Sequence, residues 1–186
     1  MDKFKTMQNL LTQIGLTILL IIGLTTSLCA QYTLTDDDVV VEEGVIRSCS
    51  YGFTVKDIII PGTLDGQTVT GIGDWVFQRK GLTSVSLPAN LENIGSNAFN
   101  DNDLTEILLP ATIKSIESYA FYRNNIAALD LSICTSLLLI EGYAFRFNSL
   151  SSILLPEVTY NETVYTLWKD SEGNNYIAGV DEETNW

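Results

Sequence analysis

Laid against itself at a shift of about 22 residues, the chain repeats. Residues 82–103 read LTSVSLPANLENIGSNAFNDND, and residues 104–125 read LTEILLPATIKSIESYAFYRNN. Residues 126–149 (IAALDLSICTSLLLIEGYAFRFNS) are two residues longer, and LSSILLP opens a further copy at Leu150. Upstream, residues 55–81 form another copy, with five extra residues after its proline. The apolar positions fall in columns: Ile60, Leu87, Leu109, Leu131 and Leu155; Ile72, Ile94, Ile116 and Ile140; Phe77, Phe99, Phe121 and Phe145. A unit this short cannot bury its apolar side alone, so the copies must stack on one another in a solenoid.

Each unit opens with L-x-x-[IV]-x-L, which matches the short strand of a leucine-rich repeat. All four prolines (Pro61, Pro88, Pro110, Pro156) come directly after that strand, where a residue without an N–H ends the ladder. Only the copy at Ile126 lacks one and carries Ser132 instead. Past the corner, the pairs Leu91/Ile94, Ile113/Ile116 and Leu137/Ile140 point inward, and the following Ala-Phe stretch is compatible with one turn of helix. Alanine beside phenylalanine suits a narrow interior in which rings stack from turn to turn. Asn102, Asn124 and Asn148, each two residues before the next strand, are expected to bond backbone and form a ladder, not a ligand site.

The expected fold is therefore a short right-handed leucine-rich-repeat stack. One face is a parallel β-sheet, the opposite face consists of short helical or 3-10 turns, and β-hairpins cap the ends. Residues 1–30 read as a leader, 31–54 as an N-terminal hairpin cap around Glu42-Glu43-Gly44, and 55–156 as about four repeats and a partial one. Residues 157–186 read as a second hairpin, VYTLW and NNYIAGV, that caps the stack or begins a further module.

The leader has Lys3 and Lys5, an uncharged apolar stretch from Ile14 to Leu24, and small and polar residues ending Ser27-Leu28-Cys29-Ala30, the layout of a secretory signal cleaved after Ala30. A membrane anchor is the competing reading, although the apolar stretch is short of the roughly 20 residues that span a bilayer. Lipid attachment at Cys29 is a second alternative, weakened by Leu28 where a small residue is wanted. Cleavage implies export to the extracellular space, the outer cell surface or the periplasm, with no membrane span left in the chain.

The whole chain carries a net charge of −13, and loss of Asp2, Lys3 and Lys5 makes it one unit more acidic. Such a surface repels nucleic acid and anionic membrane. There is no histidine, and Cys49 and Cys134 lack metal-site spacing, so neither a Ser–His nucleophile nor a zinc site is readable. The carboxylate pairs Asp101/Asp103 and Glu182/Glu183 fall in a turn and a tail, with no apolar pocket to raise one pKa. Asp36-Asp37-Asp38 reads as a solvated, extended lead-in whose acids alternate in direction, against calcium binding. No catalytic, metal or cofactor site is expected. Three layers at roughly 4.8 Å each separate the two cysteines by roughly 14 Å, beyond the reach of a disulfide.

The columns L-T-x-[IV]-x-L-P, I-G-x-x-A-F and N-x-L-T, with the opening DIIIPGTLDGQTVTGIGDWVF, resemble the BspA-type leucine-rich repeats of bacterial surface proteins over residues 40–156. The Ala-Gln at the leader's end is similar to that of exported proteins of the Bacteroidetes. The resemblance implies a secreted or cell-surface protein and, for some members, adhesion to host matrix proteins or to other bacteria. It transfers no binding residues. From the strand pattern, the outward positions are Ile59, Ser86, Leu108, Asp130 and Leu154, next to Asp57, Ser84, Glu106, Ala128 and Ser152. Ile59, Glu106, Leu108, Asp130 and Leu154 are the candidate contacts for a protein or glycan on a host or neighbouring cell. Two alternatives stand beside this: the outward side chains satisfy strand propensity alone, or the chain is a spacer or subunit of a larger surface assembly.

Overall fold

A computed structural model of the chain describes residues 30–154 and, at the level of the backbone, the strands at 164–169 and 175–180. The leader with Cys29, Leu155, Pro156 and the pair Glu182/Glu183 lie outside the described residues. The described residues from Gln31 onward belong to one compact unit.

In chain order this unit begins with β1 (Gln31–Thr33), a 3-10 turn (Asp36–Asp38), β2 (Val39–Glu42) and β3 (Val45–Cys49). The next coil contains β4 (Asp57–Ile59), β5 (Thr63–Leu64), β6 (Gln67–Thr68) and β7 (Gly71–Ile72). Then follow β8 (Ser84–Ser86), β9 (Asn93–Ile94), β10 (Ser115–Ile116), β11 (Ala128–Asp130), β12 (Leu139–Ile140) and β13 (Ser152–Leu154). The described strands end with β14 (Val164–Lys169) and β15 (Asn175–Val180), an antiparallel pair over the expected second hairpin. The five extra residues after Pro61 are accommodated by the small antiparallel hairpin β5–β6.

Two parallel sheets run along the stack, where one was expected. The L-x-x-[IV]-x-L segments, joined by β1 at the N-terminal edge, build the first, in the order β1-β4-β8 with β11-β13 further along. Regular pairing lapses at Glu106–Leu108, although the Thr105 carbonyl still accepts the Ala127 N–H at 3.3 Å. The isoleucine column builds the second sheet, in the order β12-β10-β9-β7-β3-β2, parallel except for the outermost pair. Ile46, Ile72, Ile94, Ile116 and Ile140 project from it into the core and are buried. Its strands are only two residues long over most of their number, too short for the two-residue alternation that identifies a strand in a sequence.

Residues 31–54 do more than cap. Their hairpin turns at Glu43 (φ 52°) and Gly44 (φ 76°), the paired positive φ of a tight two-residue connection. A Cβ on Gly44 would lie 2.7 Å from the Thr68 carbonyl oxygen, so the close approach also requires glycine. β1 adds a strand to the first sheet and β3 to the second, so this segment is itself a coil of the stack.

The expected helical turns are absent from the described Ala-Phe stretches. In their place the backbone returns repeatedly to positive φ: at Trp75, Asn97, Tyr119 and Tyr143, and four residues later at Arg79, Asp101, Arg123 and Phe147. A helix cannot continue through such residues. Their N–H groups bond the next coil instead. Trp75, Phe77 and Arg79 donate to the carbonyls of Ser96, Ala98 and Asn100, and Asn97, Phe99 and Asp101 repeat the pattern onto Ser118, Ala120 and Tyr122. These donors are satisfied between coils, as a sheet does it, and this offsets the cost of the left-handed conformation.

Asp36–Asp38 is likewise a 3-10 turn and not an extended lead-in. The Asp38 carboxylate accepts the Thr35 N–H at 2.8 Å, the Thr35 hydroxyl at 2.7 Å and the Tyr32 hydroxyl at 2.9 Å. Partial burial alone would raise the Asp38 pKa, but these bonds outweigh it and hold the carboxyl below its ordinary value. The Asp36 carboxylate takes the Asp65 N–H from the β5–β6 hairpin. Two of the three acids are therefore structural staples.

Inside, the phenylalanine column stacks as expected. Phe77, Phe99, Phe121 and Phe145 have ring centroids 5.2, 5.3 and 5.1 Å apart, inclined by 12° or less. Burying each ring contributes roughly 1.5–3 kcal/mol, with ring–ring packing adding about 0.5–1.5. Phe53 meets Phe77 edge-on, Tyr51 meets Phe53 edge-on, and Tyr32 stacks on Tyr51 at 4.0 Å, closing the N-terminal end of the column.

The asparagines form the second interior ladder. Asn124 donates from its amide to the carbonyls of Phe99 and Phe121 and accepts the Leu104 N–H. Asn102 bonds Phe77, Phe99 and Leu82 in the same way, and Asn148 bonds Phe121, Phe145 and Ile126. Each side chain thus links two coils and leaves no amide group unused, which makes its burial tolerable.

Candidate functional site

The outer face of the first sheet alternates as its pattern requires: Ile58, Val85, Ile107 and Leu129 are buried, and the residues flanking them are less so. Leu108 is 77% exposed and Leu154 57%. Glu106 and Asp130 are exposed, while Ile59 is half-buried. Asp57, in the neighbouring column, is buried and takes a hydrogen bond from the Thr83 hydroxyl.

These residues do not form one continuous apolar strip. β11 and β13 pair with Asp130 opposite Leu154, so Asp130 stands between Leu154 and the coil of Leu108. Leu108 and Leu154 are two coils apart, about 10 Å at the usual strand spacing. Asp130 also has a local task. Its carboxylate accepts the Ser132 N–H at 2.9 Å and the Ser132 hydroxyl at 2.6 Å, turning the corner in the one coil without proline. The Ser132 hydroxyl and N–H together hold the Asp130 carboxyl below its ordinary pKa.

A second surface, which the strand pattern does not indicate, lies on the turn face of the third and fourth coils. Tyr119 and Tyr143 stack at 5.2 Å, Tyr122 meets Tyr119 edge-on at 5.2 Å, and Phe147 meets Tyr122 edge-on at 5.1 Å. The Arg123 guanidinium lies over Tyr122 and Phe147 at 5.6 and 5.8 Å, and that of Arg146 over Tyr143 and Phe147 at 5.0 and 4.8 Å. The readable signal was the residue before Ala-Phe, which is Tyr119 in one copy and Tyr143 in the next.

Both cysteines are free thiols. Cys134 is buried with its sulfur 3.9 Å from the Pro110 carbonyl, and burial, helped by Asp130, pushes its pKa up to about 11. Burial likewise raises that of Cys49. A thiol so held is a poor nucleophile. Asp101, of the carboxylate pair in the turn, is in an ion pair with Arg79 at 3.0 Å. Among the described residues no three potential metal-binding side chains cluster, and no helix is long and apolar enough to cross a membrane.

Comparison with known proteins agrees with this architecture at the level of the repeat. The sequence profile of the BspA type leucine rich repeat region matches residues 47–168 in six copies, more than half of the chain. No curated protein and no solved structure matches the chain. With the repeat columns, the stacked coils and this match in agreement, the chain belongs to the BspA-type leucine-rich-repeat family.

Proposed function

We propose that the chain is an exported binding module that mediates protein–protein contact or adhesion through the outer face of its first sheet. Its partner is a protein or glycan on a host or neighbouring cell surface, and catalysis forms no part of its role. The observation that carries this reading is Leu108. It is a large apolar side chain left 77% exposed on a face where the core makes no demand for it. Leu154, Glu106 and Ile59 supply the surrounding contacts.

The test is binding of the purified protein, by interferometry, to a panel of matrix proteins, host glycans and bacterial cells. Saturable binding abolished by Leu108→Asp with Leu154→Asp supports the sheet face. Binding that survives both substitutions moves the contact elsewhere on the molecule. No binding across the panel favours a structural spacer within a larger surface assembly.

A further inference from the structure

The turn face offers a comparison within the chain itself, because each of its columns is occupied once per coil. Interior columns hardly change: phenylalanine recurs at every coil from Phe77 to Phe145. The exposed columns change abruptly along the stack. In the first two repeats they hold exposed Trp75, buried Asn97, Gln78 and Asn100, so an aromatic stands there once without a second ring beside it in the next coil, and Arg79 is paired with Asp101 at 3.0 Å. In the next two the same columns hold Tyr119, Tyr122, Arg123, Tyr143, Arg146 and Phe147. A purely structural need of the coil would fill all copies alike, as the phenylalanine column does. The aromatic and arginine cluster is thus an addition to the scaffold.

Its chemistry indicates what it meets. Tyrosine, phenylalanine and arginine without lysine is the composition of the energetic centre of a protein interface. The nearby carboxylates are engaged elsewhere: Asp101 with Arg79, Glu117 with the Ser96 hydroxyl, and Glu141 with the Ser118 N–H and hydroxyl. Arg123 makes no ion pair among the described residues, and its planar cation lies over two rings with the side chain exposed. On a chain of net charge −13 this sets the Arg123 and Arg146 guanidinium groups among aromatic rings, with the carboxylates of Glu117 and Glu141 held by serine donors. We propose that the turn face of the third and fourth coils is a second interaction surface, which takes an acidic segment of a protein partner. The partner's carboxylates meet Arg123, and its apolar side chains lie against Tyr119 and Phe147. A guanidinium presents a fork of donors suited to a carboxylate, and stacking on rings fixes its plane before binding.

The proposal is independent of the sheet-face reading, since the two surfaces share no residue. It is tested with the full chain and a labelled Glu-Glu-Leu-Glu-Glu-Leu peptide, followed by fluorescence anisotropy. A salt concentration near 0.15 M screens the distant acidic surface beyond about 8 Å. Binding should weaken at least tenfold in Arg123→Glu and several-fold in Arg123→Lys, which keeps the charge but loses the fork. Tyr119→Ser should also weaken it, while Leu108→Asp should leave it unchanged. Thermal melts of all four variants separate loss of contact from loss of fold.

Three results would overturn the proposal. The first is peptide binding that is absent or indifferent to Arg123→Glu in a variant that melts normally. The second is binding of hyaluronan, which carries its carboxylates on sugars, without binding of the peptide. The third is self-association of the chain that is abolished by Arg123→Glu, which would make a second copy the occupant.

Discussion

Inside each coil the side chains are nearly invariant along the stack, whereas outside they change from copy to copy. Phe77, Phe99, Phe121 and Phe145 occupy one inner column with almost parallel rings, and Asn102, Asn124 and Asn148 occupy another with matching bond sets. The outer column of the first sheet holds Ile59, Ser86, Leu108, Asp130 and Leu154, four residue types over five positions. Interior positions face identical neighbours above and below, so one solution serves every layer. Outer positions face solvent, and the coil imposes only that they not be buried. The columns therefore carry the packing of this molecule, and the departures from them are where its coils differ from one another.

That division can be broken from the inside first. Phe121→Ala removes a ring with neighbours on both sides and is expected to cost about 3–5 kcal/mol, read as a lower guanidinium midpoint. Asn124→Ala leaves the Leu104 N–H and the carbonyls of Phe99 and Phe121 without their shared partner, for a loss of about 1–3 kcal/mol in the same assay.

A pair of glycines sharpens the contrast at equal chemistry. A Cβ at Gly95 would lie 2.5 Å from an Asp74 carboxylate oxygen and 2.9 Å from Gly73 backbone, whereas a Cβ at Gly142 meets nothing within 4 Å. Gly95→Ala should destabilise by about 1–3 kcal/mol, and Gly142→Ala should not destabilise at all. The smallest expected effect is on the outer sheet face. Leu108→Asp should shift stability by no more than about 0.5 kcal/mol, even where it abolishes binding.

The same division explains what could be read from the sequence. The Phe, Ile and Asn columns were legible because their period is long and their chemistry repeats. The second sheet was not, since strands such as Asn93–Ile94 and Ser115–Ile116 are shorter than any alternation they could display. The helical turns expected beside Ala98, Ala120 and Ala144 were misread for a different reason. The residues that break a helix there are Asn97, Tyr119 and Tyr143 at positive φ, and the two tyrosines carry none of the glycine or asparagine signal that normally marks such conformations.

Alternation turned the candidate contacts outward, and Glu106, Leu108, Asp130 and Leu154 are exposed while Ile59 is half-buried. Even so, Asp130 proved to be engaged in turning its own corner, a role that became visible only with Ser132 beside it. The turn-face cluster went unnoticed because Tyr119 and Tyr143 read as ordinary companions of the phenylalanines.

Amide hydrogen exchange tests most directly the claim that coils are bonded to one another where a helix was expected. The Phe99 N–H bonds the Ala120 carbonyl at 2.8 Å and the Phe121 N–H bonds that of Ala144 at 2.7 Å, both in the buried interior. These two amides should exchange only on global unfolding, and Asn148→Ala, which frees carbonyls in the adjoining coil, should accelerate Phe121 more than Phe99. Exchange of both as fast as surface loop amides in the intact protein would contradict the coil-to-coil ladder and the account built on it.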